Sequence, residues 1–107
     1  MTLSRQDRDS DARARQIEEA LADYKKGHTK AKIRVRPHNP VSIRVRILDP
    51  DFRGKDLVDR EKEVWRILER LPDEVQADVT MVLLLTPEEA RDSLANYEFE
   101  HPTPSLL

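Results

Sequence analysis

The sequence contains no cysteine and only two glycines among its 107 residues. Without cysteine no disulfide can form, and a metal or cluster site would need histidine or carboxylate ligands, or a thiolate from a partner. No phosphate-binding glycine loop and no nucleophile–base spacing is present. The sequence therefore predicts a protein that is not an enzyme.

Long apolar runs are also missing. No segment approaches 18 consecutive apolar residues, so no membrane span is predicted. The polar N-terminus has no apolar segment of the kind found in signal peptides, which makes a cytoplasmic protein the expectation. The length suits one domain. We expect a disordered tail over residues 1–9, an α+β domain over 10–97 and a C-terminal tail over 98–107.

The charge is distributed unevenly along the chain. The net charge is -2, yet the segment from Lys25 to Arg46 holds eight basic residues and no acidic residue. The rest of the chain is strongly acidic. Such asymmetry suggests an anionic partner and says nothing about the fold.

Hydrophobic periodicity predicts the secondary structure. Two runs with alternating β-branched residues, ending near Arg36 and Ile47, predict an antiparallel hairpin with an apolar odd-numbered face and a basic even-numbered face. Helices are predicted near 10–26, 57–71 and 87–96, and a buried strand over 79–85. The order α-β-β-α-β-α predicts a two-layer α+β sandwich, a three-stranded sheet with helices on one face. Trp65 is expected in the core.

The basic face of the hairpin has two interpretations. It could contact phosphates, or it could be the solvated face of a half-buried sheet that pairs with the acidic helices. None of the five aromatic residues lies in the basic segment, which disfavours a base-stacking RNA platform. The candidate anion-binding residues are Lys30, Lys32, Arg34, Arg36, Arg44, Arg46 and, in a later turn, Lys55.

The three histidines differ in their sequence surroundings. His38 lies between two prolines in the hairpin loop, where an exposed position is expected. His28 follows Gly27 and is interpreted as part of a solvated basic turn. His101 falls in the predicted C-terminal tail.

Two motifs in the second half of the chain resemble those of the BolA family. The first is Phe52-x-Gly54-Lys55-x-x-Val58-x-Arg60-x-x-x-Val64, and the second is Thr86-Pro87-Glu88-Glu89 after an apolar strand. The resemblance covers about residues 43–92. It implies a fold similar to the class II KH domain.

The resemblance also implies a function. BolA proteins associate with monothiol glutaredoxins and share a glutathione-linked [2Fe-2S] cluster with them, and His38 lies in the loop that supplies one family ligand. Glu61 and Asp78 occupy positions where the family usually has histidine. The expected role is a non-catalytic adapter, as a monomer or weak dimer. Some members bind DNA, so the alternative is a nucleic-acid-binding module that uses the basic hairpin or the turn and helix at 52–60. The implied partner-binding residues are Gly54, Lys55, Arg60, Glu61 and Asp78.

Overall fold

The computed structural model describes residues 5–104, with side-chain surroundings from residue 9 onward. A three-stranded sheet in the order β1-β2-β3 forms its centre. The elements are α1 (Arg5–Gly27), β1 (Lys32–Asn39), β2 (Ser42–Leu48), a 3-10 turn (Pro50–Phe52), α2 (Leu57–Leu68), α3 (Asp73–Asp78), β3 (Val79–Leu85), α4 (Pro87–Arg91) and α5 (Leu94–Glu100).

The predicted antiparallel hairpin is confirmed, and the third strand joins its second strand. β1 and β2 are antiparallel, with Arg34 opposite Arg46 and Arg36 opposite Arg44. β3 pairs in parallel with β2, which the intervening helices make possible because a parallel pair needs a crossover connection. The pairing places the basic side chains of both hairpin strands on the same face.

The core lies on the other face of the sheet. Ile43, Val45 and Ile47 of β2 are fully buried there, and Ile17 of α1 and Leu68 of α2 are also fully buried in the same cluster. The predicted odd-numbered apolar face is confirmed. Trp65 packs against this cluster and is only partly buried.

Two predicted helix starts are confirmed in atomic detail. The Asp56 side chain accepts from the backbone N–H of Asp59 at the start of α2. At α4, Thr86 and Glu89 form a reciprocal capping box with proline in the first turn. These contacts satisfy N–H groups that the first turn of a helix leaves without partners.

The helix boundaries differ from the prediction in four places. α3 was not predicted, and the single helix expected over 87–96 is two short helices. The break occurs at Ser93, whose hydroxyl accepts from the N–H of Asn96 and starts α5. α5 then continues to Glu100, which lies inside the predicted C-terminal tail. α1 begins at Arg5, inside the predicted N-terminal tail. Residues 1–4 and 105–107 of those tails lie outside the described residues.

The fold class is confirmed as α+β with a three-stranded sheet, and α1 and α2 cover its apolar face. The structure adds a layer that the sequence did not predict, because α5 lies against the basic face of the hairpin. Within residues 5–104, no helix is long and apolar enough to cross a membrane.

Candidate functional site

The turn between the 3-10 turn and α2 contains the glycine of the first motif. Gly54 has a φ of 80°, a left-handed conformation that favours glycine. The chain reverses there, and the N–H of Lys55 donates to the carbonyl of Phe52 over 3.0 Å. A substitution at Gly54 would meet no neighbouring atoms, so the requirement for glycine comes from the backbone and not from space.

Arg60 holds this turn from the inside. The residue is 8% exposed. Its Nε donates to the carbonyl of Lys55 at 2.9 Å, and its terminal nitrogens donate to the carbonyls of Phe52 at 3.0 Å and Leu84 at 3.1 Å. The guanidinium group also lies 5.4 Å from the centre of the Phe52 ring. Arg60 therefore fixes the turn to the end of β3.

The same arginine joins the two motifs. Its terminal nitrogens donate to both carboxylate oxygens of Glu89, over 2.7 and 3.2 Å. The Arg60 hydrogen bond is the main cause that lowers the pKa of Glu89 to about 2, and the N–H of Thr86 adds to it. The spacing between the motifs is thus a structural requirement of one ion pair, in which Arg60 is buried and Glu89 is half-exposed.

This geometry corrects one predicted binding residue. Arg60 was expected to contact a partner, but it is buried and its nitrogens already have acceptors inside the chain. Of its motif neighbours, Gly54 is exposed, and Lys55 pairs with Glu63 over 3.0 Å. Glu61 is partly exposed on α2.

An apolar surface lies at the start of α2. Leu57 and Val58 are each 57% exposed. Val58 and Trp65 line a shallow groove of about 380 Å³, together with Glu61, Lys62, Arg66 and Glu69. Trp65 was expected in the core, with a partner contact as the minor alternative. The sequence could not predict the groove on the exposed side of α2, because Trp65 both packs against the core and lines the groove.

The basic face of the hairpin is largely occupied by α5. Arg44 pairs with Glu98 at 2.6 Å, and Arg46 pairs with Glu100 at 2.7 Å. Arg36 donates to the carbonyl of Phe99 at 2.8 Å. These contacts correspond to the second of the two interpretations, a sheet face matched by acidic residues of the same chain.

Phe99 lies at the centre of this contact. It is fully buried, with the guanidinium carbons of Arg46 and Arg36 at 4.9 and 5.4 Å from its ring centre. Arg46 also donates to Asn96 at 2.9 Å. Three members of the predicted anion-binding set, Arg36, Arg44 and Arg46, therefore contact α5 in this structure. The exposed members are Lys30, Lys32 and Arg34.

The two residues at cluster-ligand positions do not form a ligand pair. Asp78 forms an ion pair with Arg13 of α1 at 2.9 Å. His38 lies at the irregular end of β1, near enough to Glu98 of α5 to affect the pKa of that carboxyl group. There the Thr103 N–H is the main cause that lowers the pKa of Glu98, and Arg44 and then His38 add to it. A carboxylate is also a harder ligand than a thiolate-rich iron cluster prefers. These residues do not fit a shared [2Fe-2S] cluster.

His28 is the residue that sequence reasoning placed least well. It is not in a solvated turn, because its Nδ1 lies 2.8 Å from Asp51 and 3.2 Å from Asp49, and its Nε2 lies 2.6 Å from Glu63. Its ring stacks on Tyr24 with 4.1 Å between centroids. These residues come from three separate segments of the chain, 24–28, 49–51 and the helix position of Glu63, and no local spacing predicts that the three segments meet.

The comparisons with known proteins agree with this architecture. A structure search matches BolA1 from Arabidopsis thaliana with a TM-score of 0.50 and 21% identity, covering 72% of this chain and 94% of that chain. This chain has a BolA-like fold. No protein-family model matches the sequence, and no curated protein matches it. At 21% identity the likeness concerns the fold, so the predicted resemblance is confirmed at that level.

Proposed function

We propose that the chain is a non-catalytic, BolA-like adapter that binds a protein partner through the exposed start of α2. The observation that carries the proposal is the surface formed by Leu57, Val58 and Trp65 on a chain with a BolA-like fold. We call it the α2 surface. BolA-like proteins are generally non-catalytic, which supports the adapter role.

The α2 surface has the composition of a binding site. Exposed apolar side chains lie beside a groove that Trp65 lines, and tryptophan is enriched at the energetic centres of interfaces. Charged side chains of both signs flank the groove, among them Glu61 and Arg66. Such a polar rim around an apolar centre is typical of protein–protein interfaces.

A monothiol glutaredoxin is the first partner to test, since the BolA family associates with these proteins. Our proposal leaves out the shared cluster. Asp78 is paired with Arg13 of α1, whereas His38 lies near Glu98 of α5, so this chain would contribute no matched pair of ligands. Binding would then depend on side-chain contacts alone.

The test is a titration of a purified monothiol glutaredoxin with the full chain, followed by calorimetry. Val58→Glu places a charge on the α2 surface and should weaken binding at least about tenfold, because interface centres exclude charged residues. Val41→Glu is a matched control. Val41 is also 57% exposed but lies between β1 and β2. It should leave the affinity within about twofold, as surface changes outside an interface usually do.

The result separates the parts of the proposal. Equal weakening by the two variants would overturn the assignment of the α2 surface. No binding of the unaltered chain would remove glutaredoxin as the partner. A visible cluster spectrum that disappears in His38→Ala would contradict the cluster-free form.

The nucleic-acid alternative has less support in this geometry. Three arginines of the hairpin already contact α5, and in the turn before α2 Arg53 pairs with Glu88 at 2.6 Å while Lys55 pairs with Glu63. Lys30, Lys32 and Arg34 remain exposed, which gives a small basic patch.

A further inference from the structure

The cluster around His28 lies outside the α2 surface and has no role in the adapter proposal. The geometry points to a divalent-cation site of the zinc class, formed by His28 Nδ1, an oxygen of Asp49 and an oxygen of Asp51. These three ligand atoms lie within 4.8 Å of one another.

The distances come close to those of a metal site. Zinc binds histidine nitrogen and carboxylate oxygen at about 2.0–2.2 Å, so two ligands in tetrahedral arrangement lie about 3.3–3.5 Å apart. Nδ1 of His28 lies 3.2 Å from Asp49 and 2.8 Å from Asp51. An opening of about half an ångström would admit the ion.

The surroundings fix the orientation of each ligand. His28 Nε2 lies 2.6 Å from Glu63, and a carboxylate on the second ring nitrogen is the usual companion of a metal-binding histidine. The ring is stacked on Tyr24 at an interplanar angle of 9°. Asp49, fully buried, accepts from the Tyr24 hydroxyl and from the N–H of Asp51. The site is therefore held in place before an ion arrives.

The charges also favour a cation. Three carboxylates, those of Asp49, Asp51 and Glu63, surround one imidazole, and Lys55 neutralises only Glu63 at 3.0 Å. Around a neutral ring these groups leave two surplus negative charges in the cluster. A divalent ion on a neutral ring would bring it to zero and satisfy both carboxylates that face Nδ1.

The site is buried on the side of Asp49 and open to solvent on the side of Asp51. The Asp49 side chain is 0% exposed, that of His28 is 18% exposed and that of Asp51 is 55% exposed. An ion could enter past Asp51 and would keep at least one position for water, because the chain offers three ligands. None of the three belongs to the positions expected to hold an iron–sulfur cluster.

The experiment uses the full chain without an affinity tag, with ZnCl₂ in calorimetry and Co²⁺ in visible absorption. We expect one ion per chain. His28→Gln and Asp51→Asn should each weaken binding by at least about tenfold, and Glu63→Gln should weaken it about 10-fold by releasing the ring. The matched controls are His38→Ala and His101→Ala, histidines outside the cluster, which should bind as the unaltered chain does.

Asp51→Asn keeps the test decisive, because Asp51 is the exposed ligand and its loss should leave the fold intact even if a change at His28 does not. The absence of saturable binding of one metal ion per chain would refute the metal site. His28 would then be a residue that only forms ion pairs within the chain. Binding that survives Asp51→Asn and His28→Gln, or that is lost in His38→Ala, would also overturn it. The α2 surface is not involved, so failure here leaves the adapter proposal standing.

Discussion

Arg60 on α2 and Arg46 on β2 are both buried, at 8% and 7% exposure. Each has a phenylalanine ring close to its guanidinium group and a glutamate as its ion-pair partner. They differ in what else they contact. Arg60 donates to three backbone carbonyls, whereas Arg46 is bound by side chains of α5, and its Nε has no hydrogen-bond partner among the described residues.

The contacts of Arg60 should persist as long as the domain is folded, whereas those of Arg46 can be lost when α5 detaches. The carbonyls bound by Arg60 belong to a turn and a strand that cannot move without unfolding the domain, and a buried carbonyl without a partner costs about 1–3 kcal/mol. The partners of Arg46 all lie on one seven-residue helix. That helix can detach with its side chains, and water can replace them. The two sides of the sheet should therefore differ in stability.

The sharpest test compares the two arginines directly. Arg60→Met should lower the free energy of unfolding by about 3–5 kcal/mol, because it leaves the carbonyls of Phe52, Lys55 and Leu84 without their donor. Arg46→Met should change it by about 1 kcal/mol or less, since Glu100 is 42% exposed and water can solvate its carboxylate once the arginine is gone. Urea denaturation measures both. Equal losses would contradict the comparison.

A cavity on the apolar face of the sheet should lower the stability of the whole domain. Leu68 is fully buried, so Leu68→Ala should cost about 2–5 kcal/mol in urea melts. Leu94 on α5 is 87% exposed, and Leu94→Ala should stay within about 0.5 kcal/mol. A loss under about 0.5 kcal/mol for Leu68→Ala would refute its place in the core.

A change on the basic face of the hairpin should mainly destabilise α5 and its contact with the sheet. Phe99→Ala should cost about 1–3 kcal/mol and speed amide exchange in α5 more than in β2, because α5 docks through this ring. It should also free Arg36, Arg44 and Arg46. Weak duplex-DNA binding would then appear, with a log–log salt slope of about -3, since each phosphate contributes about -0.9.

Fluorescence anisotropy at low salt measures that gain, with Leu94→Ala as the control on the same helix. If the unaltered chain already binds DNA with this slope, α5 does not cover the face in solution. If Phe99→Ala binds no DNA, the nucleic-acid alternative has no support from the hairpin.

The smallest effect concerns pH. The Arg60 hydrogen bond holds the pKa of Glu89 near about 2 in the folded chain, below the ordinary 4.5. The unfolded chain therefore binds more protons in this range, and the stability that Glu89 contributes is present above pH 4.5 and lost as the pH falls toward 2. Glu89→Gln should flatten the stability profile in this window, by about 1 kcal/mol or less because Glu89 is half-exposed. An unchanged slope in urea melts between these pH values would contradict the pair.

Much of the fold was predictable because it follows from local patterns. The alternation in the hairpin determined which face of β2 is buried, and the caps at Asp56 and Thr86 determined where two helices start. Each of these signals acts over a few residues, so it is visible in the sequence. The short α3 and the break at Ser93 were missed, because their signals are weak over so few residues.

The candidate sites were less predictable, because their residues meet only after folding. The sequence by itself determined the element order, the apolar face and a concentration of positive charge between Lys25 and Arg46. Only the tertiary structure decided that α5 neutralises much of that charge, that Arg60 is buried and that His28 joins three distant carboxylates. The physical reason is that charges and hydrogen bonds act through space, and their partners here lie 20 or more residues apart in the chain.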